Sequence, residues 1–177
     1  MYNCGGIRAC GVIKFMNRRD FAVSVTALAA VMTSPALGAT IYPLRVDGDI
    51  RDLGGVGLGD ADLLDLEQIS FETSTVWTVG IQRFSGPSLL LLLEKLGAGP
   101  GNVRLTGIND YSVEVSRSLL TTNAPILANR INGMVFDRRA KGPFWVMFPF
   151  DQSQDFQTET IASACVWQLS QITVLKV

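Results

Sequence analysis

Apolar residues in the second half of the chain occur in short runs separated by turn residues. Phe144–Phe148 is apolar at every position, which predicts a strand buried on both faces. Ile126–Ala128 and Val135–Phe136 flank Asn132-Gly133, which favours a tight turn because both residues tolerate positive φ. The pattern predicts a strand reversal, then a charged loop, then a buried strand.

Helices are predicted at two places. Gly86-Pro87-Ser88 is expected to open a helix over Leu89–Leu96, and Gly97 is expected to stop it. Asp60-Ala61-Asp62 is expected to begin a short helix running to Gln68. The glycine-rich segment just before it lacks the Gly-Lys-Ser/Thr of a phosphate-binding loop, so a surface loop is predicted there.

β-rich segments with apolar alternation make up most of the remaining chain. Many short strands with few helices indicate a single α+β domain, built on a mixed sheet or barrel-like β-rich fold. The predicted strands are Thr40–Asp49, Ile69–Thr78, Ile81–Phe84, Asn102–Thr106, Tyr111–Val115 and Ala164–Val177.

The N-terminal segment has the parts of an export signal. The pair Arg18-Arg19 precedes a 12-residue apolar run, Phe21–Met32, and small residues follow. Twelve residues are too few to span a bilayer as a helix, which takes about 20. We expect residues 1–39 to be a twin-arginine signal and the protein to be periplasmic or otherwise exported; a short anchor or core helix is the alternative. Met16 lies at a more usual distance from the arginine pair than Met1, and we expect it to be the start.

Removal of that signal would leave a domain at 40–177, long enough for one hydrophobic core. It would carry 11 basic and 15 acidic side chains, a net charge of −4, so nucleic-acid binding is not expected. We expect no membrane span in it, and its single cysteine, Cys165, excludes an intrachain disulfide. The chain contains no histidine, and no zinc or haem site is expected.

The order of several short motifs resembles a known family. A strand ending in Asp-Gly, Asp-Leu-Glu and Phe-x-Gly-Pro-x-Leu-x-x-Leu-Leu come first. Asn-Asp-Tyr-x-Val-Glu, Leu-Ala-x-Arg-x-Asn-Gly, Lys-Gly-Pro-Phe-Trp-Val and Trp-Gln-Leu-x-x-Ile-x-Val follow. Over about Ile41–Val177 the chain resembles the molybdopterin-binding domain of the sulfite-oxidase-like oxidoreductases, in a short exported form. The resemblance implies that fold and a molybdopterin cofactor.

The chain departs from the family at the metal ligand. The resemblance implies a molybdenum-ligating cysteine just after the strand Ile69–Glu72, where this chain has Thr73, Ser74 and Thr75. A hydroxyl is a hard ligand and replaces a soft thiolate poorly. Thr73–Thr75 are therefore expected to face the position that the metal occupies in the family. We assign none of them as a metal ligand. Cys165 is expected to pack in the last strand.

The resemblance also implies contacts to the phosphate and pterin of the cofactor. Guanidinium and ammonium groups suit phosphate, and a tryptophan can cover a flat ring. Solvated arginines, an Asn-Asp turn and a core tryptophan are the ordinary structural alternatives. The candidate residues are Trp77, Arg83, Asn109, Asp110, Tyr111, Arg138, Arg139 and Lys141.

Three functions are compatible with these features. The first is an exported oxidoreductase-type domain that binds molybdopterin, acts on an unknown small substrate and exchanges electrons with a redox partner protein. The alternative is a non-catalytic module that kept the fold, lost the metal, and recognises a small anionic ligand or a signalling partner. The third is a structural subunit that docks through Phe148-Pro149-Phe150 or Trp145, although a buried strand explains those aromatics more simply. Because the cysteine is absent, the sequence leaves enzymatic activity undecided.

Overall fold

The computed structural model describes residues Leu44–Val177, so the predicted export signal and start residue lie outside the described part. The described residues belong to one compact unit. They form a β-rich α+β structure with three short α-helices, and the predicted fold class is confirmed. The strands are β1 (Leu44–Gly48), β2 (Val56–Leu58), β3 (Gln68–Ser74), β4 (Ile81–Pro87), β5 (Val103–Gly107), β6 (Ser112–Val115), β7 (Ile126–Ala128), β8 (Arg130–Ile131), β9 (Trp145–Met147) and β10 (Leu169–Val174); the helices are α1 (Asp60–Leu64), α2 (Leu89–Lys95) and α3 (Glu159–Ala164).

The strands form three sheets. Five strands make a mixed sheet in the order β2-β1-β10-β5-β6, in which β1 and β10 run parallel. Strands β3, β4 and β8 make an antiparallel sheet, and β7 pairs with β9 antiparallel. No helix within the described residues is both long enough and apolar enough to cross a membrane.

The two-stranded sheet β7–β9 lies between two hydrophobic cores. Leu127 and Val146 belong to the larger core, whereas Trp145 and Met147 belong to a smaller, aromatic core. Successive side chains of a strand point to opposite faces, so both faces of this sheet are covered by apolar groups. All of Phe144–Phe148 is buried, as the sequence predicted, which leaves Trp145 and Phe148 inside rather than on a docking surface.

Helix α2 follows its sequence signals, except at its start. The Ser88 hydroxyl caps the first turn and Gly97, with a φ of 68°, ends the helix. The prediction that Gly86 and Pro87 open the helix is wrong, because both belong to β4. A Cβ atom at Gly86 would lie 2.0 Å from the carbonyl oxygen of Leu127. Strand β4 therefore needs glycine there to pass close to β7.

The turn at Asn132-Gly133 forms as predicted, but the strands around it differ. Asn132 and Gly133 have φ values of 52° and 80°, and Ile131 bridges Met134 across them. The segment Val135–Phe136 is not a strand. Strand β7 pairs with β9, whereas β8 pairs with β4. The chain passes from one sheet to the other at Asn129, whose backbone N–H donates to the Ser85 carbonyl of β4.

Several other element boundaries were predicted wrongly, including the end of β3, which lies at Ser74 and not at Thr78. The glycine-rich loop contains β2, which pairs with β1, and the helix expected to reach Gln68 ends at Leu64. The long C-terminal strand is shorter than predicted, because Ala164 ends α3 and Gln168 has a φ of 51°. Cys165 therefore caps α3 and does not lie in the last strand.

Asp60 ties α1 to β8. Its carboxylate accepts hydrogen bonds from Arg130 Nη1 at 2.6 Å and Nη2 at 2.8 Å, and from Asn129 Nδ2 at 3.0 Å. The side chains of Arg130 and Asp60 are only 16% and 20% exposed. The Arg130 guanidinium is the main reason that the pKa of Asp60 lies below its ordinary value.

Replacing Asp60 should destabilise the domain. Asp60→Ala leaves the guanidinium largely buried without its carboxylate, and we expect a loss of about 2–3 kcal/mol in the free energy of unfolding. The control Asp65→Ala, at an exposed side chain, should change it by less than about 0.5 kcal/mol. Urea unfolding measures both values.

The loss of stability in Asp60→Ala should also depend on pH. Because the pKa of Asp60 is lowered in the folded chain, its stabilisation is present above the unfolded pKa and is lost as the pH falls through the folded pKa. The difference between wild type and Asp60→Ala should therefore shrink below about pH 4. A difference that stays constant in more acidic solution would contradict this account.

Candidate ligand-binding site

All three tryptophans of the chain lie together in the aromatic core. Trp77 lies 5.9 Å from Trp145 and 6.1 Å from Trp167, and Trp145 lies 6.4 Å from Trp167, measured between ring centroids. Each pair meets edge to face, a favourable arrangement of aromatic quadrupoles. We call these three residues the tryptophan cluster. Their mutual contacts hold each ring in a defined orientation.

Trp145 is the buried member of the cluster. It is 1% exposed, and its indole Nε1–H donates to the carbonyl oxygen of Cys165 at 3.1 Å. A buried indole N–H needs such an acceptor, so this bond fixes β9 against the end of α3. Trp77 and Trp167 are half-buried and turn part of their surfaces toward solvent.

Two cavities border Trp77. The first, of about 300 Å³, we call the Tyr111 cavity; it is lined by Trp77, Asn109, Tyr111, Ala162, Ser163, Cys165, Val166 and Trp167. The second, of about 540 Å³, we call the Asp151 cavity; it is lined by Ser74, Thr75, Val76, Trp77, Phe150, Asp151, Gln157, Thr158, Glu159 and Ala162. Trp77 and Ala162 line both cavities and form their common wall.

The rim of the Tyr111 cavity is the turn between β5 and β6. The Asn109 side-chain oxygen accepts from the Tyr111 backbone N–H at 3.3 Å, and the Tyr111 hydroxyl donates to the Ser163 carbonyl at 3.1 Å. These bonds hold both polar side chains at the cavity. Asp110 has a φ of 63° and is exposed in the turn, and it is not among the lining residues.

The Asp151 cavity has an oriented carboxylate in its wall. The backbone N–H and the hydroxyl of Ser74 donate to Asp151 at 2.6 and 2.8 Å, and the Asp151 N–H donates to Thr73 Oγ1 at 3.2 Å. The Ser74 backbone N–H is the main reason that the pKa of Asp151 lies below its usual range. Glu159 adds a second carboxylate, and no lysine or arginine lines this cavity within the described chain.

The predicted metal position does not offer a soft ligand. Thr73 is fully buried, and its hydroxyl donates to the Ser74 carbonyl at 3.3 Å while accepting from Asp151. Burial raises the pKa of Cys165 to about 12, so this residue is a neutral thiol at physiological pH. Across Leu44–Val177 no three cysteine, aspartate or glutamate side chains are grouped to hold a metal. These donors do not fit a thiolate-ligated molybdenum.

One predicted cation reaches the tryptophan cluster. Lys141 Nζ lies 5.7 Å from the ring centroid of Trp167 and 6.0 Å from that of Trp145, within cation–π range. Lys141 follows the helical turn Arg138–Ala140 and is held in a left-handed conformation with a φ of 71°. Lys141 itself lines neither cavity, but its ammonium group lies against Trp167, which lines the Tyr111 cavity.

The three candidate arginines are exposed side chains. Arg83 is exposed on β4, where Nη2 donates to the Ser70 hydroxyl at 3.3 Å. Arg138 and Arg139 are exposed, and the Arg138 carbonyl accepts a bond from the Gln168 side chain. None of the three lines the Tyr111 or the Asp151 cavity.

Of the candidate residues, Ser74, Thr75, Trp77, Asn109 and Tyr111 line one or both cavities. The sequence interpretation missed Asp151, Glu159 and Trp167 as lining residues. No local motif marks Asp151, because its partner Ser74 is 77 positions away in the chain.

No protein-family model matches this chain, and a search of curated proteins found no match. Among solved structures, the sulfane dehydrogenase SoxCD from Paracoccus pantotrophus is similar, with a TM-score of 0.59 and 14% sequence identity. The likeness covers 76% of this chain and 38% of the dehydrogenase chain, so this chain spans well under half of that length. At this identity the comparison shows the fold alone.

Cys165 should be unreactive in the folded chain. Because burial raises its pKa, we expect iodoacetamide at about pH 8 to alkylate Cys165 at least a hundredfold more slowly in native protein than in urea. Mass spectrometry of the Cys165 peptide measures both rates. Equal rates would show an accessible thiolate and would reopen Cys165 as a metal ligand.

Proposed function

We propose that this chain is an exported, non-catalytic ligand-binding domain with the fold of the sulfite-oxidase-like oxidoreductases. It binds a flat, anionic, pterin-like molecule without a metal. The observation that carries the proposal is the tryptophan cluster, in which all three tryptophans of the chain meet and two of them line a cavity. Thr73–Thr75 offer hydroxyl oxygens in place of a thiolate, and the Thr73 hydroxyl is already hydrogen-bonded within the chain. Hydroxyl oxygens are poor ligands for molybdenum, which supports ligand binding without a metal.

The Tyr111 cavity suits a flat heterocyclic ring. Its volume of about 300 Å³ falls in the range of small-molecule sites, and Trp77, Tyr111 and Trp167 supply aromatic surface. Asn109 offers an amide at the rim for the polar edge of such a ring. Aromatic walls with a few placed polar groups are typical of cofactor sites.

Lys141 supplies the positive charge for the anionic group. Its ammonium nitrogen lies against Trp167, so a phosphate on a ring at this tryptophan would meet a cation. Arg139 is exposed on the same loop, two positions before Lys141, and adds a more distant positive charge. We assign the main contact to Lys141 and long-range attraction to Arg139.

Export and partners belong to the same proposal. The Arg18-Arg19 pair followed by the apolar run Phe21–Met32 supports a periplasmic location. A binding domain without its own catalytic metal would act by passing a signal or a bound molecule to a redox or signalling partner protein.

A molybdopterin-dependent oxidoreductase is the second candidate, and the fold likeness to a sulfane dehydrogenase favours it. Under this alternative the molybdenum ligand must come from outside the described residues, because Thr73 is bonded to its own chain and Cys165 is a neutral thiol. Trp77, Tyr111 and Lys141 would then hold the organic part of the cofactor, which supplies the redox chemistry.

Titration with a pterin monophosphate tests the proposed site. Calorimetry should show one binding event, and tryptophan fluorescence should change with the same affinity because the whole tryptophan cluster lies at or beside the Tyr111 cavity. Lys141→Ala should weaken binding about tenfold through loss of a charge-assisted contact. Arg139→Ala should have a smaller effect that disappears in high salt.

The control is Lys176→Ala, an exposed lysine outside both cavities, which should bind like the wild type. The same pterin without its phosphate should bind more weakly to the wild type and equally to wild type and Lys141→Ala. If pterin phosphate leaves the fluorescence unchanged and produces no binding heat, the proposed function is wrong.

A further inference from the structure

We propose that the Asp151 cavity is a second binding site, specific for a small organic cation that carries an alkylammonium group. It is distinct from the Tyr111 cavity, to which the proposed function assigns an anionic ring. The two cavities share Trp77, but the carboxylates of Asp151 and Glu159 line only the second.

Aromatic surface on one side of the cavity suits a cation. Trp77 and Phe150 both line it, and their ring centroids lie 6.0 Å apart at an interplanar angle of 63°. Both rings therefore contribute aromatic surface to the wall of the same cavity. Tryptophan gives the strongest cation–π attraction among the side chains, and paired aromatic rings recognise alkylated ammonium groups.

The carboxylates of Asp151 and Glu159 in the wall of the cavity also suit a cation. Asp151 is held in place by two bonds from Ser74, and its lowered pKa keeps it ionised. The Glu159 carboxylate makes no hydrogen bond or ion pair with other described residues, so it is available at the cavity. No lysine or arginine of the described chain lines the cavity to neutralise these two charges.

Other ligand classes fit this cavity less well. An anion would face Asp151 and Glu159 without a cation in the wall, and like charges repel. A calcium ion takes six to eight oxygen ligands, whereas the described residues contain no group of three acidic side chains suited to a metal. With a volume of about 540 Å³ and two aromatic rings, the cavity fits an organic cation better than a bare ion.

Choline and its uncharged carbon isostere, in which carbon replaces the nitrogen atom, provide the test. Calorimetry on the purified full-length chain should show choline binding at one site and at least about tenfold weaker binding of the isostere. Asp151→Asn and Glu159→Gln should each weaken choline binding about fivefold or more. Glu94→Gln, at an exposed glutamate outside the cavity, should bind choline like the wild type.

Glu159→Gln separates this inference from the proposed function and from a folding defect. Because Glu159 does not line the Tyr111 cavity, this variant should lose choline affinity while its pterin phosphate titration and melting temperature stay unchanged. If Asp151→Asn does not fold, the choline titration of Glu159→Gln alone tests the inference. Absence of choline binding to wild type, equal binding of choline and the isostere, or unchanged affinity in Glu159→Gln would each overturn the inference.

Discussion

The hydrogen bond from the Trp145 indole to the Cys165 carbonyl is the contact on which the site depends. A fully buried indole N–H must find an acceptor, and here the acceptor is the cap of α3. The bond joins β9 to the end of α3, the helix that contributes residues to both cavities. It also fixes the orientation of the Trp145 ring, which contacts the rings of Trp77 and Trp167 edge to face. The site is therefore an extension of the aromatic core, with the rigidity of packed side chains.

The two cavities that share Trp77 differ in the charged groups at or near their walls. The ammonium group of Lys141 lies over the rings of Trp145 and Trp167, and Trp167 lines the Tyr111 cavity. Toward the Asp151 cavity, the wall carries the carboxylates of Asp151 and Glu159. The two carboxylates thus line one cavity, whereas the ammonium group of Lys141 lies against a tryptophan that lines only the other. This arrangement differs from a single cationic pocket, in which all candidate basic residues would converge on one ligand.

Local sequence signals predicted the parts of the fold that depend on neighbouring residues. The buried strand Phe144–Phe148 and the turn at Asn132-Gly133 follow from apolar continuity and from tolerance of positive φ. Pairing between distant segments carries no such signal, so the change of sheet at Asn129 was missed. For the same reason the sequence did not reveal Asp151 as a wall of the site or Cys165 as the cap of α3. The resemblance named Trp77, which lines both cavities, together with Arg83, Arg138, Arg139 and Lys141, none of which lines either cavity.

The central claim is that the tryptophan cluster holds an organic ligand in a domain without a molybdenum ligand of its own. The most direct test is elemental analysis combined with pterin fluorescence on protein purified from its native exported compartment, where loading is physiological. The account predicts no molybdenum, together with release of a fluorescent pterin-like compound when the protein is denatured. Stoichiometric molybdenum that survives purification would contradict the account and would identify the domain as a metal-dependent oxidoreductase.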